Sequence, residues 1–207
     1  SRINYYGNTN SYIVSQSYSV VGNQYGEFGH DGGDGSDTGG GTPGGGGGGG
    51  AGSIGNTNGT GGIGKEYDIT GSLITYSTGG NSTGSPTNSN NGSGDGGDSE
   101  ESGGHGVVIV RFAEYLSNTL NIPKATGGII SYYTLGNVNY CVHTFLDSGS
   151  FIPESSLQVD YLIVAGGGSG GSGGDQTHEG AGGGAGGLIY QTGITFTNST
   201  YKIIIGK

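Results

Sequence analysis

Three stretches govern what this chain can fold into: Gly39 to Gly52, Gly166 to Gly174 and Gly180 to Gly187. In them the side chain has nearly vanished and the backbone is the main chemistry left. A segment without side chains has no apolar face to bury. It orders only by satisfying its own N–H and C=O groups against other backbone. Glycine also loses more conformational freedom on ordering than any other residue, roughly 0.5–1 kcal/mol relative to alanine. The chain holds 53 glycines in 207 residues, so ordering them costs on the order of tens of kcal/mol. Such tracts are either flexible linkers or a dense backbone lattice of extended strands or packed polyproline-II-like helices. The lattice is an architectural device, and it points to a structural or adhesive protein before an enzyme.

The remaining composition favours strands. Apolar residues make up 29% and charged residues 11% of the chain. Disordered chains are usually rich in charge, whereas this one is rich in Gly, Ser, Thr and Asn. Fourteen tyrosines and many β-branched residues suit pleated, half-buried surfaces. No stretch carries a convincing helical period. The expected class is all-β with little or no helix, its short strands framing glycine-rich layers of extended or polyproline-II-like (polyglycine II) backbone. The net charge is −10 with only six Lys plus Arg. That leaves no basic patch to neutralise phosphates, which argues against nucleic acid and anionic membranes. Cys141 is the single cysteine, so an intrachain disulfide is excluded. It lies between Tyr140 and Val142 in a strand pattern and reads as a buried structural thiol. No run of about 18 apolar residues is present, so no transmembrane helix is expected.

The chain changes character at Val107. Val107-Val108-Ile109-Val110-Arg111-Phe112 is a continuous apolar run of strand length, expected to be buried on both faces. Before it, Tyr12 to Val14 and Tyr18 to Val21 are short strand candidates, and Tyr67 to Tyr76 reads as a strand pair around Gly71. After it, Ala113 to Lys124 reads as a linker. Ile129 to Leu135 and Tyr140 to Leu146 flank Gly136-Asn137, a hairpin signal. Gln158 to Ala165 is the strongest strand and runs straight into a glycine tract. Leu188 to Tyr190, Ile194 to Phe196 and Tyr201 to Ile205 follow. The expected organisation is the closing part of one glycine-rich β domain over 1–112, a linker over 113–127 and the opening part of the next over 128–207.

Several of these segments carry a resemblance. His143-Thr144-Phe145, Ser148-Gly149-Ser150-Phe151, the run from Val159 to Gly168 and the run from Gly182 to Leu188 resemble a glycine-rich domain family of phage tail fibres and repetitive proteins of aquatic viruses and microbes. Gly103 to Phe112 looks like that family's closing motif. In the family the strand matching Tyr161 to Val164 opens a domain, and the strand matching Val107 to Phe112 closes it. Here the order is reversed. The resemblance therefore implies the second half of one domain followed by the first half of the next, with Lys207 running into Ser1 of a following copy. On that reading Val107, Val108, Ile109, Val110, Tyr161, Leu162, Ile163 and Val164 are assembly strands that meet across a unit boundary.

Chemical sites are sparse. Gly32-Gly33-Asp34-Gly35-Ser36-Asp37 matches the start of a calcium-binding glycine repeat. With Asp31 close by, Asp31, Asp34 and Asp37 form a candidate Ca²⁺ set of hard oxygen ligands. Asp95, Asp98, Glu100 and Glu101 make a dense acidic patch that reads as a solvent-facing loop. Asn58, Asn81, Asn91 and Asn198 each sit in an N-glycosylation acceptor pattern. Gly166 to Gly171 satisfies the dinucleotide fingerprint, but glycine follows where the fingerprint needs a helix. His30, His105, His143 and His178 show no metal-ligand spacing, and no nucleophile elbow is present. No enzymatic activity is expected. The chain reads as a structural subunit of an extracellular or virion-surface fibre, joined head-to-tail to copies of itself by strand augmentation. The alternative is a receptor-binding adhesin, such as a tail-fibre tip. Its partners would include surface glycans, and a rigid glycine-rich scaffold would hold its recognition loops.

Overall fold

The computed structural model describes residues 12–15, 29–35, 44–82, 95–96, 101–114, 124–172 and 180–206. Among these the regular elements are all strands: β1 (Tyr12–Ser15), β2 (Lys65–Tyr67), β3 (Ile74–Tyr76), β4 (Val107–Glu114), β5 (Ala125–Thr126), β6 (Ile129–Leu135), β7 (Val138–Phe145), β8 (Gly149–Pro153), β9 (Leu157–Val164), β10 (Leu188–Phe196) and β11 (Tyr201–Ile205). The class is all-β.

Two sheets form the base. One has five antiparallel strands in the order β10-β9-β4-β7-β6. The other runs β1-β11-β8-β5, with β1 parallel to β11. Strand alternation sends Val108, Val110 and Phe112 of β4 to one face, where they meet Phe151, Tyr201, Ile203 and Ile205 of the second sheet. It sends Val107 and Ile109 to the opposite face, where they pack with Val142, Leu162, Val164, Ile69 and Tyr76. Ile69 and Tyr76 belong to the β2–β3 hairpin region. The apolar run of β4 is continuous because both of its faces are covered. Each fully buried Val, Leu or Phe here contributes about 1.5–3 kcal/mol.

The glycine tracts form the second part of the fold. Segments 101–106, 165–172 and 180–187 are direct extensions of β4, β9 and β10, and they keep the order of those strands. Gly167 donates to Gly104 and Gly170 to Glu101. Ala165, Gly168 and Gly171 donate in turn to Gly187, Gly184 and Ala181. The step between donors is three residues, which is the polyproline-II period, not the period of two that a β-strand shows.

The same step recurs around 44–52. His30 and Gly33 donate to Gly50 and Gly47, Gly48 and Ala51 to Gly80 and Ser77, and Gly182 and Ala185 to Gly46 and Gly49. Segment 44–52 is thus held by neighbours on several sides, as in a bundle of polyglycine II helices. Burial has the same period: Gly180, Gly183 and Gly186 are buried, while Ala181 and Gly184 are exposed. A Cβ at Gly46, Gly47 or Gly48 would overlap the carbonyl oxygen of Gly33, Thr60 or Gly183, three different neighbours. Only glycine permits that approach.

The expected split into two units does not describe this arrangement. Val107–Val110 and Tyr161–Val164, expected to meet across a unit boundary, pair antiparallel inside one chain: Val107 with Val164, Ile109 with Leu162 and Val110 with Tyr161. The other side of β4 pairs with β7, and that of β9 with β10. Neither strand has a free ladder for a second copy. The reversed motif order is accommodated because antiparallel neighbours need not be consecutive in sequence.

Candidate functional site

The lattice has a base and a tip. At its base it grows out of β4, β9 and β10, and Gly106 donates to Gly206 (3.3 Å) beside β11. At its tip Gly35 lies against Gly44, Gly45 against Gly180, and Gly59 against Ser82 and Gly45. Gly171 donates to Ala181 there. The chain enters 36–43, 83–94 and 173–179 from this end, at Gly35, Ser82 and Ser172. Those three connections lie outside the described residues. Their sequences are rich in Ser, Thr, Asn, Asp and Gly.

The tip turn at 56–60 is described. Gly59 adopts φ +87°, a left-handed conformation that suits glycine. Asn56 both accepts from Gly59 and donates to Thr60. Asn58 Oδ1 accepts the Thr60 N–H at 3.2 Å. Asn56, Thr57, Asn58 and Thr60 are all exposed. The turn therefore presents polar side chains on a backbone fixed by its own hydrogen bonds.

The sequence-derived sites fall in different places. Asp31 and Asp34 are exposed on segment 29–35, and Asp37 lies outside the described residues. Among the described residues no three His, Cys, Asp or Glu side chains are grouped to hold a metal ion. Asn58 and Asn198 are exposed, while Asn81 is half-buried and its Oδ1 accepts the Gly61 N–H at 2.9 Å. Asn91 lies outside the described residues.

Asp95 corrects the reading of the acidic patch as a solvent-facing loop. It is 6% exposed, and its carboxylate accepts the Thr78 N–H at 2.8 Å. Its carbonyl accepts from Gly104, so Asp95 stitches two lattice segments together. Glu101 is half-buried; Asp98 and Glu100 lie outside the described residues.

Two polar clusters in the base serve the scaffold. Arg111 is 8% exposed, and its Nη2 donates to Asp160 at 2.8 Å. Its Nη1 donates to the Tyr133 hydroxyl at 2.7 Å, and its carbon lies 5.1 Å from the centre of the Tyr140 ring. Burial alone lowers its pKa, but the bonds to Asp160 and Tyr133 outweigh that, and the guanidinium is held charged. The Nη1–Asp68 pair, at 3.6 Å, ties the β2–β3 hairpin to the sheet. A signal for this cluster was present in the sequence, since a cation inside a buried apolar run requires a carboxylate partner.

In the second cluster Cys141 is 3% exposed, a buried thiol as expected. Its Sγ lies 3.5 Å from His143 Nε2. His143 Nδ1 donates to the Gly127 carbonyl at 2.7 Å, which leaves Nε2 as the acceptor facing the thiol. Burial pushes the thiol up to about 11 and lowers the His143 pKa. Both groups are therefore neutral at pH 7. The His143 ring is packed between Phe112 and Phe151, and both members of the pair are buried in the core.

Residues 146–207 match the family model of a glycine-rich domain. That stretch contains β8 to β11 and the two lattice segments 165–172 and 180–187. It coincides with the carboxy-terminal part of the sequence resemblance, where β9 feeds one tract and another tract feeds β10. Neither the curated proteins nor the solved structures yielded a match.

Proposed function

We propose that this chain is a non-enzymatic recognition module of an extracellular or virion surface, an adhesin whose glycine lattice is a rigid scaffold. The observation that carries the reading is the tip. Three polar connections leave a backbone-stitched lattice at one end, while the other end is rooted in a β-sandwich. Binding residues are commonly carried by connecting segments that an ordered framework positions. The Ser, Thr, Asn and Asp side chains of 36–43, 83–94 and 173–179 offer adaptable hydrogen bonds suited to sugar hydroxyls. Surface glycans are therefore the proposed partner class. The glycine-rich resemblance makes a tail-fibre tip the concrete form of this reading.

The test is a glycan array probed with the full chain. A variant with the order of residues 83–94 shuffled is compared with the native chain. The reading predicts glycan binding that the shuffle abolishes without changing the thermal midpoint. Binding that survives shuffling of all three connections would refute it. The fibre reading draws its support from the edge strands left at the rims of both sheets. Filaments of the purified chain in electron micrographs would favour it instead.

A further inference from the structure

We propose that β6 is a self-association edge through which two copies of this chain join in a continuous ten-stranded sheet. Among the described residues no strand lies beyond β6. Half of the N–H and C=O groups of an antiparallel edge point away from its one neighbour. Such an edge is a template for pairing unless something blunts it.

Two of the other rims, β10 and β5, carry such devices. β10 has a register shift between Gln191 and Ile194, with Gly193 at φ +65°, and β5 is two residues long. β6 has neither device. Its sequence, Ile129-Ile130-Ser131-Tyr132-Tyr133-Thr134-Leu135, contains no charge and no proline. Apolar side chains are exposed on both of its faces: Ile129 61%, Leu135 56%, Tyr132 60% and Ile130 39%.

The strand is complementary to itself. In an antiparallel register centred on Tyr132, Ile129 of one copy faces Leu135 of the other at both ends, and Tyr132 faces Tyr132. Residues opposed in this register share a face, as the sheet requires. Aromatic and aliphatic cross-strand pairs of this kind each contribute about 0.2–1 kcal/mol. Edge pairing shields the flanks of these four exposed apolar side chains and satisfies the open backbone ladder, a contact of the small size typical of weak, reversible association. A two-fold contact uses the same patch on both copies and closes at two. The pairing is therefore independent of what the tip binds, and it does not by itself build a fibre.

The test is sedimentation of the full chain over a wide concentration range, with two charge variants. Tyr132→Lys or Tyr132→Glu places like charges opposite each other in the two-fold register. The native chain should show a reversible monomer–dimer equilibrium. Each variant alone should be monomeric with unchanged circular dichroism, and an equimolar mixture of the two should dimerise again. A native chain that is monomeric throughout would overturn the proposal, as would variants that still dimerise. A mixture that stays monomeric would overturn it too.

Discussion

Replacing Gly183 and its neighbour Gly184 with alanine, one at a time, separates lattice packing from every other property of glycine. The two residues are adjacent in one tract, so the unfolded-state effect of each substitution is the same, about 0.4–1 kcal/mol in favour of alanine. The folded states differ. A Cβ at Gly183 would overlap the Gly168 carbonyl oxygen and lie 2.8 Å from the carbonyl carbons of Gly168 and Ser169. All of these are backbone atoms and cannot rotate away. Segments 180–187 and 165–172 would have to separate, straining the bonds Gly168 to Gly184 (2.8 Å) and Gly171 to Ala181 (2.7 Å), and the bond from Gly80 to Gly183 (2.9 Å). At about 1 kcal/mol net for each bond, and more where a group is left buried and unsatisfied, Gly183→Ala should lose about 2–4 kcal/mol. A Cβ at Gly184 meets nothing within 4 Å, so Gly184→Ala should be neutral or gain up to about 1 kcal/mol. At about 2–4 °C per kcal/mol for a chain of this size, the two melting midpoints should stand apart by about 4–20 °C. Thermal denaturation followed by circular dichroism reads this directly. Equal midpoints for the two variants would refute the lattice as described.

Other positions give sharper local tests. Ser77 holds φ +59°, and its buried Oγ has no hydrogen-bond partner among protein atoms. Ser77→Gly should relieve both and raise stability by about 1 kcal/mol in urea denaturation. Arg111→Met should leave Asp160 without its guanidinium and release the Asp68 end of the β2–β3 hairpin, lowering stability by about 2–4 kcal/mol; amide exchange at β2 and β3 would report the release. His143 faces the Cys141 thiol, the Gly127 carbonyl and, at longer range, Glu114. Its pKa is lowered by burial, so below about pH 6.5 the unfolded chain binds a proton that the folded chain does not. Stability should then fall as pH falls, with a slope approaching about 1.4 kcal/mol per unit from this one group. His143→Gln should remove that component, measured as the difference in urea midpoints between pH 7 and pH 5.

The strands were legible because their side chains state their surroundings. The unbroken Val107–Val110 run reads as a strand buried on both faces, and β4 has a sheet or the hairpin on each side. Gly136-Asn137 reads as a hairpin turn, and Gly136 sits at φ +62° between paired β6 and β7. Tyr67 to Tyr76 reads as a pair around Gly71, and β2 and β3 pair with Gly71 at φ +89°. Leu188 to Tyr190 and Ile194 to Phe196 read as two strands, but a bulge joins them as β10. The Gly193 N–H donates to Asp160 Oδ1 at 3.0 Å there.

Partnership was the part that side chains could not state. A glycine accepts any neighbour that leaves it space, so nothing in Gly44 to Gly50 names segment 29–35 or 180–187 as its contact. The pairing of β4 with β9 was hidden for a different reason. Their reversed order suggested two molecules, whereas antiparallel pairing inside one chain satisfies both edges at once. Arg111 and Asp160 are 49 residues apart, and the register of β4 on β9 is what brings them together.

Amide hydrogen exchange across the glycine tracts tests the central claim most directly. If the tracts form a backbone-bonded lattice, the amides of Gly33, Gly48, Gly80, Gly168 and Gly182 should exchange far more slowly than in an unstructured chain, approaching the protection of β4. If those amides exchange at unstructured rates while β4 stays protected, the tracts are flexible connections, and no rigid scaffold underlies the tip.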